Sequence, residues 1–407
     1  MTSKKIIYFI IYYTLFCGFA IKNLNLNKSI LLFVDILCLI LLFKNKFKIK
    51  VTNLQNIVFV LTLLFISLLV GAGLNNVSLT NFIWGIRNQY MALPLFFAAA
   101  SFLSIKDIEK ILKFFFYFQF LNFFCALYQY FVLGYYEDIN NGAFINGSGQ
   151  DIFCGILMAC YLFYYINKKC KLWQLIFVII SSLVIAALEE EKFIFIEAMV
   201  LFMYYFFIAG KINLMKIFIA SIFIFILVLS VNMLSDINGT GSLEILTNKD
   251  AFISYQENAF ELPRIGSSRI ISEKFFISEW QNLFGLGIGN CEDATTLNFI
   301  DTSFFNLYGW LNYTFFTFHV NFLQTGWIGI ILFILFFIFI LINNIKGKMH
   351  CHNELKYYYD ISIIITLLCM MTIWYNATLR SYNSVIPFFM LSLGSIVTRQ
   401  NKKINLK

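Results

Sequence analysis

A histidine and four cations stand in or beside long apolar stretches of this 407-residue chain, where charge is costly and therefore informative. Arg87 lies inside the apolar stretch Phe82 to Leu103. Its planar fork of donors suits a phosphate, and partial desolvation would strengthen that contact; the other reading is a side chain snorkelling to the headgroups. Lys192 ends the run Glu189-Glu190-Glu191-Lys192, which is either a solvated turn with an internally neutralised lysine or a second phosphate contact. Arg380 follows Trp374 and Tyr375 in a late polar turn, as an interfacial anchor that adds positive charge. Arg269 stands at the start of a segment that alternates apolar and polar residues at helical spacing. His319, one of three histidines, opens the run Phe318-His319-Val320-Asn321 ahead of a long apolar stretch. An isolated histidine is most often structural, but beside a cationic anion site an imidazole can take the proton of an attacking hydroxyl.

The elements that must hold these side chains are read from composition and charge placement. With 60% hydrophobic, 19% aromatic and 13% charged residues and a mean hydropathy of +0.77, the chain has too little polar surface for a water-soluble protein. The net charge of +8 does not indicate a nucleic-acid partner, because the 30 lysines and arginines cluster between apolar runs. Lys4 and Lys5, Lys44 to Lys50, Lys106 to Lys113, Lys168 to Lys171, Lys211 and Lys216, Lys346 to Lys356 and Arg399 to Lys407 occupy every second connection, the positive-inside pattern.

Twelve apolar segments of about the length that crosses roughly 30 Å of hydrocarbon can be drawn. They lie near 5–21, 29–43, 54–74, 82–103, 108–133, 151–167, 172–188, 193–209, 214–234, 315–343, 360–376 and 383–398. The first reads as an uncleaved anchor, since no small-residue cleavage site follows it. Three regions result: spans one to nine (1–234), a large outer loop (235–314), and spans ten to twelve with a basic tail (315–407). Both termini then lie inside, and Arg87, Lys192, Arg269 and Arg380 fall on the outer side.

Within the loop, Ile271, Phe275, Trp280 and Phe284 repeat at helical spacing, which predicts one amphipathic helix on the membrane surface with Trp280 at headgroup depth. Gly285, Gly287 and Gly289 follow; their spacing is wrong for a dinucleotide fingerprint and suits a sharp turn with close backbone approach. Gly326 and Gly329, three apart, predict tight packing of span ten on a neighbour, fixing His319. The loop carboxylates lack ligand spacing, and His350-Cys351-His352 lies in an inner turn without a partner pair, so no metal is expected. Of nine cysteines only Cys291 lies clearly in the loop, so no disulfide framework is implied.

These pieces together resemble the bacterial O-antigen ligase and Wzy-type polysaccharide polymerase superfamily. The matching features, in order along most of the chain, are Arg87 ahead of Leu93-Pro94-Leu95, the outer segment Gly142-x-Phe144-x-Asn146-Gly147, Arg269 ahead of Phe284 to Gly289, and His319-x-Asn321 ahead of a Gly-x-x-Gly helix. The resemblance implies an all-α, GT-C-like membrane glycosyltransferase, metal-independent and without a cofactor. It would move a glycan from undecaprenyl diphosphate to the acceptor sugar of another lipid-linked repeat, at the outer face of the bacterial plasma membrane. His319 would be the base, or a group orienting the acceptor hydroxyl, and Arg269 a catalytic cation, with Arg87, Lys192, Arg264, Arg380 and Asn321 binding the diphosphate and glycan. Membrane lipid, a chain-length regulator and a flippase are the partners it implies. Glu190-Glu191-Lys192 stands where the ligases often carry Ser-Arg, which favours a polymerase over ligation to a lipid core. A lipid-linked oligosaccharide transporter is the rival of a different class; it would spread charge through both halves, whereas Asp35 and Glu197 are the only obvious deep acids.

Overall fold

The computed structural model describes residues 2–44, 54–135, 139–189, 192–207, 221, 262–264, 266–294 and 300–405, and the statements below concern those residues. They form helices and turns without a strand. The longer helices are α1 (Ser3–Leu24), α2 (Leu32–Lys44), α3 (Gln55–Leu74), α4 (Leu79–Tyr90), α5 (Leu93–Phe102), α6 (Ile105–Phe131), α7 (Gly147–Ile166), α8 (Leu172–Leu188) and α9 (Lys192–Phe207). Three short helices follow, α10 (Ser267–Phe275), α11 (Glu279–Phe284) and α12 (Ser303–Tyr308), then α13 (Thr317–Met349), α14 (Lys356–Tyr375), α15 (Val385–Leu391) and α16 (Leu393–Asn405). Seven helical segments are long and apolar enough to cross a membrane, as in a multi-pass membrane protein.

That number differs from the twelve drawn on the sequence, for local reasons. The stretch 82–103 divides at Met91-Ala92, just ahead of Pro94 at the second position of α5, because proline withholds a helical N–H. The segment near 29–43 is a short 3₁₀ turn and the 13-residue α2. The segment near 214–234, and with it the boundary at 234, lies outside the described residues.

Burial follows lipid rather than water. Helix α3 turns Phe59, Phe65, Ile66 and Leu69 outward, an apolar outer face that fits hydrocarbon. Helix α7, by contrast, is buried continuously from Gly149 to Tyr164, and α8, α9 and α14 pack around it. Capping sets where elements begin. Asn146 Oδ1 accepts from Gly149 N at 3.2 Å to start α7, and Ser104 with Asp107 closes a capping box on α6.

The lysine clusters gather at one end of the bundle. Lys4 pairs with Asp107 at 2.6 Å, Lys348 pairs with Asp360 at 2.6 Å, and Tyr358 donates to Glu109 at 2.7 Å. The basic connections around Lys4, Asp107 and Lys348 thus come together in space, Lys46 to Lys50, Lys211 and Lys216 lie outside the described residues, and the described part of 262–316 lies at the opposite end.

That region is not one surface helix. Phe276, Ile277 and Ser278 break it into α10 and α11; Ile271 is buried, whereas Ile277 and Trp280 are 96% and 61% exposed. Ring contacts hold it down: Phe275 meets Phe304 and Tyr308 at 5.6 and 4.9 Å, and Phe276 meets Phe322 at 5.5 Å.

The glycine triplet turns and approaches closely, as its spacing suggests. Gly285, Gly287 and Gly289 all have positive φ (71°, 87° and 94°), and a β-carbon on Gly289 would strike the Asn81 carbonyl. Leu286 N donates to Leu323 O at 2.7 Å and Gly289 N to Gln324 Oε1 at 2.9 Å, so the loop is wedged between α3–α4 and α13. Helix α13 yields to admit it. Gly326 is non-helical (φ 59°, ψ −162°) and packs tightly on Leu283 of α11, while Gly329 meets its own helix's Thr325, so the close approach to a neighbour expected of both glycines is seen at Gly326.

Two outcomes follow. Gly289→Ala should cost about 1–3 kcal/mol or more through its backbone conformation and clash, read as a lower melting midpoint in detergent; Gly73→Ala, whose methyl meets nothing, should leave the midpoint unchanged. In a cysteine-free background, Ile277→Cys and Lys348→Cys should react with a membrane-impermeant maleimide from opposite sides of the membrane, and labelling of both from one side would overturn the two-ended arrangement.

Candidate functional site

At the end away from the lysine clusters the glycine loop delivers Glu292 into the bundle. Arg380 Nη2 donates to both of its oxygens, at 2.6 and 2.7 Å, and the two side chains are 7% and 4% exposed. Gln324 Nε2 donates to Oε1 at 2.9 Å and Asn88 Nδ2 to Oε2 at 2.8 Å. These donors replace the water that the carboxylate oxygens lost on burial. The second guanidinium nitrogen of Arg380 donates to the Thr314 carbonyl at 3.2 Å, and its buried Nε has no acceptor among the described residues.

Asn88 extends the network. Its Oδ1 accepts from Arg87 Nη1 at 2.6 Å, and Arg87 Nε donates to Asp35 Oδ2 at 2.9 Å, with Trp84 beneath the guanidinium at 4.8 Å. The structure thus brings Arg87 and Arg380 into one network through Asn88 and Glu292. It also gives each a carboxylate, so the four formal charges cancel.

A second group of predicted residues lies on the α9, α13 and α14 side. The Arg264 guanidinium stands over Tyr375 at 4.2 Å and over Phe316 at 5.5 Å, with no carboxylate partner among the described residues. His319 is fully buried, with Phe316 at 4.6 Å. Neither ring nitrogen completes a hydrogen bond among the described residues, although the Pro263 main chain and the Arg264 charge both lie close enough to act on the ring. Asn321 is likewise buried, with both amide atoms unpartnered among the described residues. Lys192 opens α9, half-buried; its neighbour Phe193 stacks on Tyr375 at 4.3 Å, the ring that also carries Arg264.

The two groups share one short segment. Thr314 O receives Arg380, Phe316 lies under Arg264, and Thr317 N and Oγ1 both donate to Asn376 O, at 2.9 and 2.8 Å. Nearby, Thr378 Oγ1 donates to Ser148 O at 2.8 Å and Asn146 Nδ2 to Tyr382 Oη at 3.4 Å, which ties the start of α7 to the same turn. Arg269 is not part of this assembly. It projects from α10 with its side chain 81% exposed and pairs with Glu273 at 2.7 Å, a contact that raises its pKa.

Glu292, Asn88 and Gln324 were not singled out from the sequence, and Glu292 counted only as one scattered loop acid. The signal was local: Glu292 comes directly after the glycine triplet, Asn290 and Cys291, where the chain must enter the bundle. Asp151 and Glu189 are further acids that the sequence reading did not place in the interior; both are buried, alongside Glu197. Cys291 is inert, since burial and the adjacent Glu292 push its thiol well above its usual range.

No family model matches the chain, and no curated protein or solved structure matches it.

Removing one member of a buried, hydrogen-bonded pair strands the other's charge. Glu292→Ala should therefore destabilise the protein by about 3–5 kcal/mol, and Glu292→Leu combined with Arg380→Met should recover much of that loss. Glu273→Ala, which breaks only the exposed pair with Arg269, should stay within about 0.5 kcal/mol of wild type. Thermal melting in one detergent checks all three.

Proposed function

We propose that this protein is a membrane glycosyltransferase of the polysaccharide polymerase type. It moves a glycan from undecaprenyl diphosphate to the acceptor sugar of another lipid-linked repeat, at the outer face of the bacterial plasma membrane. The observation that carries the reading is Arg264, a cation without a carboxylate partner among the described residues, held on Tyr375 and Phe316 directly beside the buried His319.

In this reading the acceptor hydroxyl attacks the anomeric carbon, the bond from that carbon to the diphosphate oxygen breaks, and the diphosphate departs with the electron pair. The hydroxyl proton passes to a ring nitrogen of His319. Arg264 and Lys192 meet the charge that grows on the leaving group, which lowers the barrier because fixed cations need no reorganisation at the moment of reaction. Arg87 and Arg380, each already matched by a carboxylate, hold the frame, and the open Nε of Arg380 supplies one further donor. Arg269, exposed on α10, is left with a role at the membrane surface rather than in bond breaking. A direct displacement inverts the anomeric centre.

A lipid-linked oligosaccharide transporter is the second reading. Its support is the pair of interrupted helices, at Met91-Ala92 and at Gly326, since broken spans with buried acids also build transport sites.

Gene deletion and complementation separate these. Loss of a polymerase leaves single repeats on the surface, loss of a ligase leaves unattached lipid-linked polymer, and loss of a transporter leaves no glycan outside. Complementation with Arg264→Ala or His319→Ala should restore polymer about a hundredfold less well than wild type, by analogy with removal of one charge-stabilising donor. Normal polymer from both variants at equal protein level would overturn the site.

A further inference from the structure

A polar cavity of about 390 Å³ opens at the same end of the bundle, between the α3–α4 turn, the glycine loop and the start of α12. Its size falls in the range of roughly 300–1,000 Å³ usual for small-molecule sites. Asn75, Asn76, Asn81, Asn290, Asp301 and Phe304 define it, and among the described residues no lysine, arginine or histidine lines it.

Some of these residues are framework. Asn75 Nδ2 donates to Gly71 O and Gly285 O at 2.8 and 3.0 Å, and its Oδ1 accepts from Gln281 at 3.1 Å. Asn81 Oδ1 accepts from Asp301 N at 3.2 Å, while its Nδ2 faces Asp301 O and Asn290 Oδ1 at 3.3 and 3.4 Å. Their hydrogen bonds are committed to holding the walls apart.

Others keep free capacity. Asn76, exposed and at φ 50°, makes no side-chain hydrogen bond among the described residues. Asp301 uses Oδ1 for Ser303 N at 2.8 Å, which leaves Oδ2, and the Ser303 hydroxyl also lines the cavity. Phe304 contributes an apolar ring face. An amide, a carboxylate oxygen and a hydroxyl on a fixed frame, beside one aromatic face, match the adjacent hydroxyls and apolar ring face of a sugar. A phosphate does not fit, because the one formal charge in the lining is negative. Calcium would want about six to eight oxygen ligands, more than one carboxylate and committed amides provide.

We infer that this cavity binds an uncharged sugar residue of a glycan and disfavours acidic sugars. That the glycan is the acceptor or growing chain rests on the transferase reading; the preference for a neutral sugar rests on the cavity alone. Asn290, two residues before Glu292, places the cavity next to the Glu292–Arg380 network.

The test uses full-length protein in nanodiscs. The probes are tagged oligosaccharides released from the source cell's own surface polysaccharide, freed of phosphate and divided by anion exchange into neutral and acidic pools. Wild type should bind the neutral pool. Asn76→Ala and Asp301→Ala, both at exposed positions, should each weaken that binding at least tenfold, and Glu273→Ala, on the exposed face of α10, should leave it unchanged. Failure of wild type to bind the neutral pool, tighter binding of the acidic pool, or unchanged affinity in the Asn76→Ala/Asp301→Ala double variant would each overturn the assignment. If neutral binding behaves as expected while Arg264→Ala and His319→Ala still restore normal polymer in cells, the cavity stands and the transferase reading falls.

Discussion

The buried pair of Glu292 and Arg380 is the constraint on which this end of the molecule depends. Burying two charges is unfavourable unless their mutual attraction is joined by enough hydrogen bonds to replace the water each has lost. Here Arg380 Nη2, Gln324 and Asn88 together meet both carboxylate oxygens. These partners come from the turn after α14, from α13 and from α4, while Glu292 comes from the loop. Four separate stretches of chain must therefore be in register before the carboxylate can enter, which makes the pair a specifier of arrangement more than a source of net stability. Much of the surrounding geometry follows from that demand. The glycine triplet must adopt left-handed backbone to bring Glu292 inward, α4 must be bare at Gly85, and α13 must break at Gly326 to leave room.

Charge balance then decides which cations are available to a ligand. Arg87 with Asp35 and Arg380 with Glu292 are internally neutral, so an anion approaching them must compete with a carboxylate already at hydrogen-bond distance. Arg264 faces no such competitor among the described residues. Its stacking on Tyr375 and Phe316 orients the guanidinium without neutralising it, because an aromatic face offers only a quadrupole. In the proposed transferase, attraction for a diphosphate therefore belongs mainly to Arg264 and Lys192, and the two internal arginines act by holding their surroundings in place.

A helical, multi-pass membrane protein was legible in the sequence because lipid imposes a strong, local rule of long apolar helices, although seven rather than twelve are long enough to span among the described residues. Lys4 and Lys348 do share one end of the bundle with the acids that meet them, and there Arg399 donates to the Leu103 carbonyl. What escaped depends on tertiary context. The break at Met91-Ala92 and the kink at Gly326 lie inside uniformly apolar runs, where hydropathy does not register a change of direction. The amphipathic pattern from Ile271 to Phe284 was real, but Phe276 is drawn away to Phe322, and the helix divides there. Glu292 was illegible as a functional residue because its meaning comes from partners 204, 32 and 88 positions away in the chain. Arg264 and His319 were named in advance, yet nothing in their spacing of the two residues revealed that they would meet across Phe316.

The two ligand-facing regions differ in chemistry as the two parts of a lipid-linked sugar differ. On the α9, α13 and α14 side stand Arg264 and Lys192, near the buried His319; on the α3–α4 side stand the amides, Asp301 and Phe304 of the polar cavity. The internally neutral network of Asp35, Arg87, Asn88, Glu292 and Arg380 adjoins both, through Thr314 on the one side and through Asn290, two residues before Glu292, on the other. A single field of positive charge over the whole surface would hold a diphosphate in many positions, and it would attract acidic glycans equally well. In the proposed transferase, Arg264, without a carboxylate partner among the described residues, and the carboxylate of Asp301 would give an incoming lipid-linked repeat one favoured direction: anionic carrier toward Arg264, sugar toward Asn76 and Asp301. Orientation of that kind is obtained from charge separation alone, and it requires the network in the middle to be neutral, which is the condition that the Glu292–Arg380 and Asp35–Arg87 pairs satisfy.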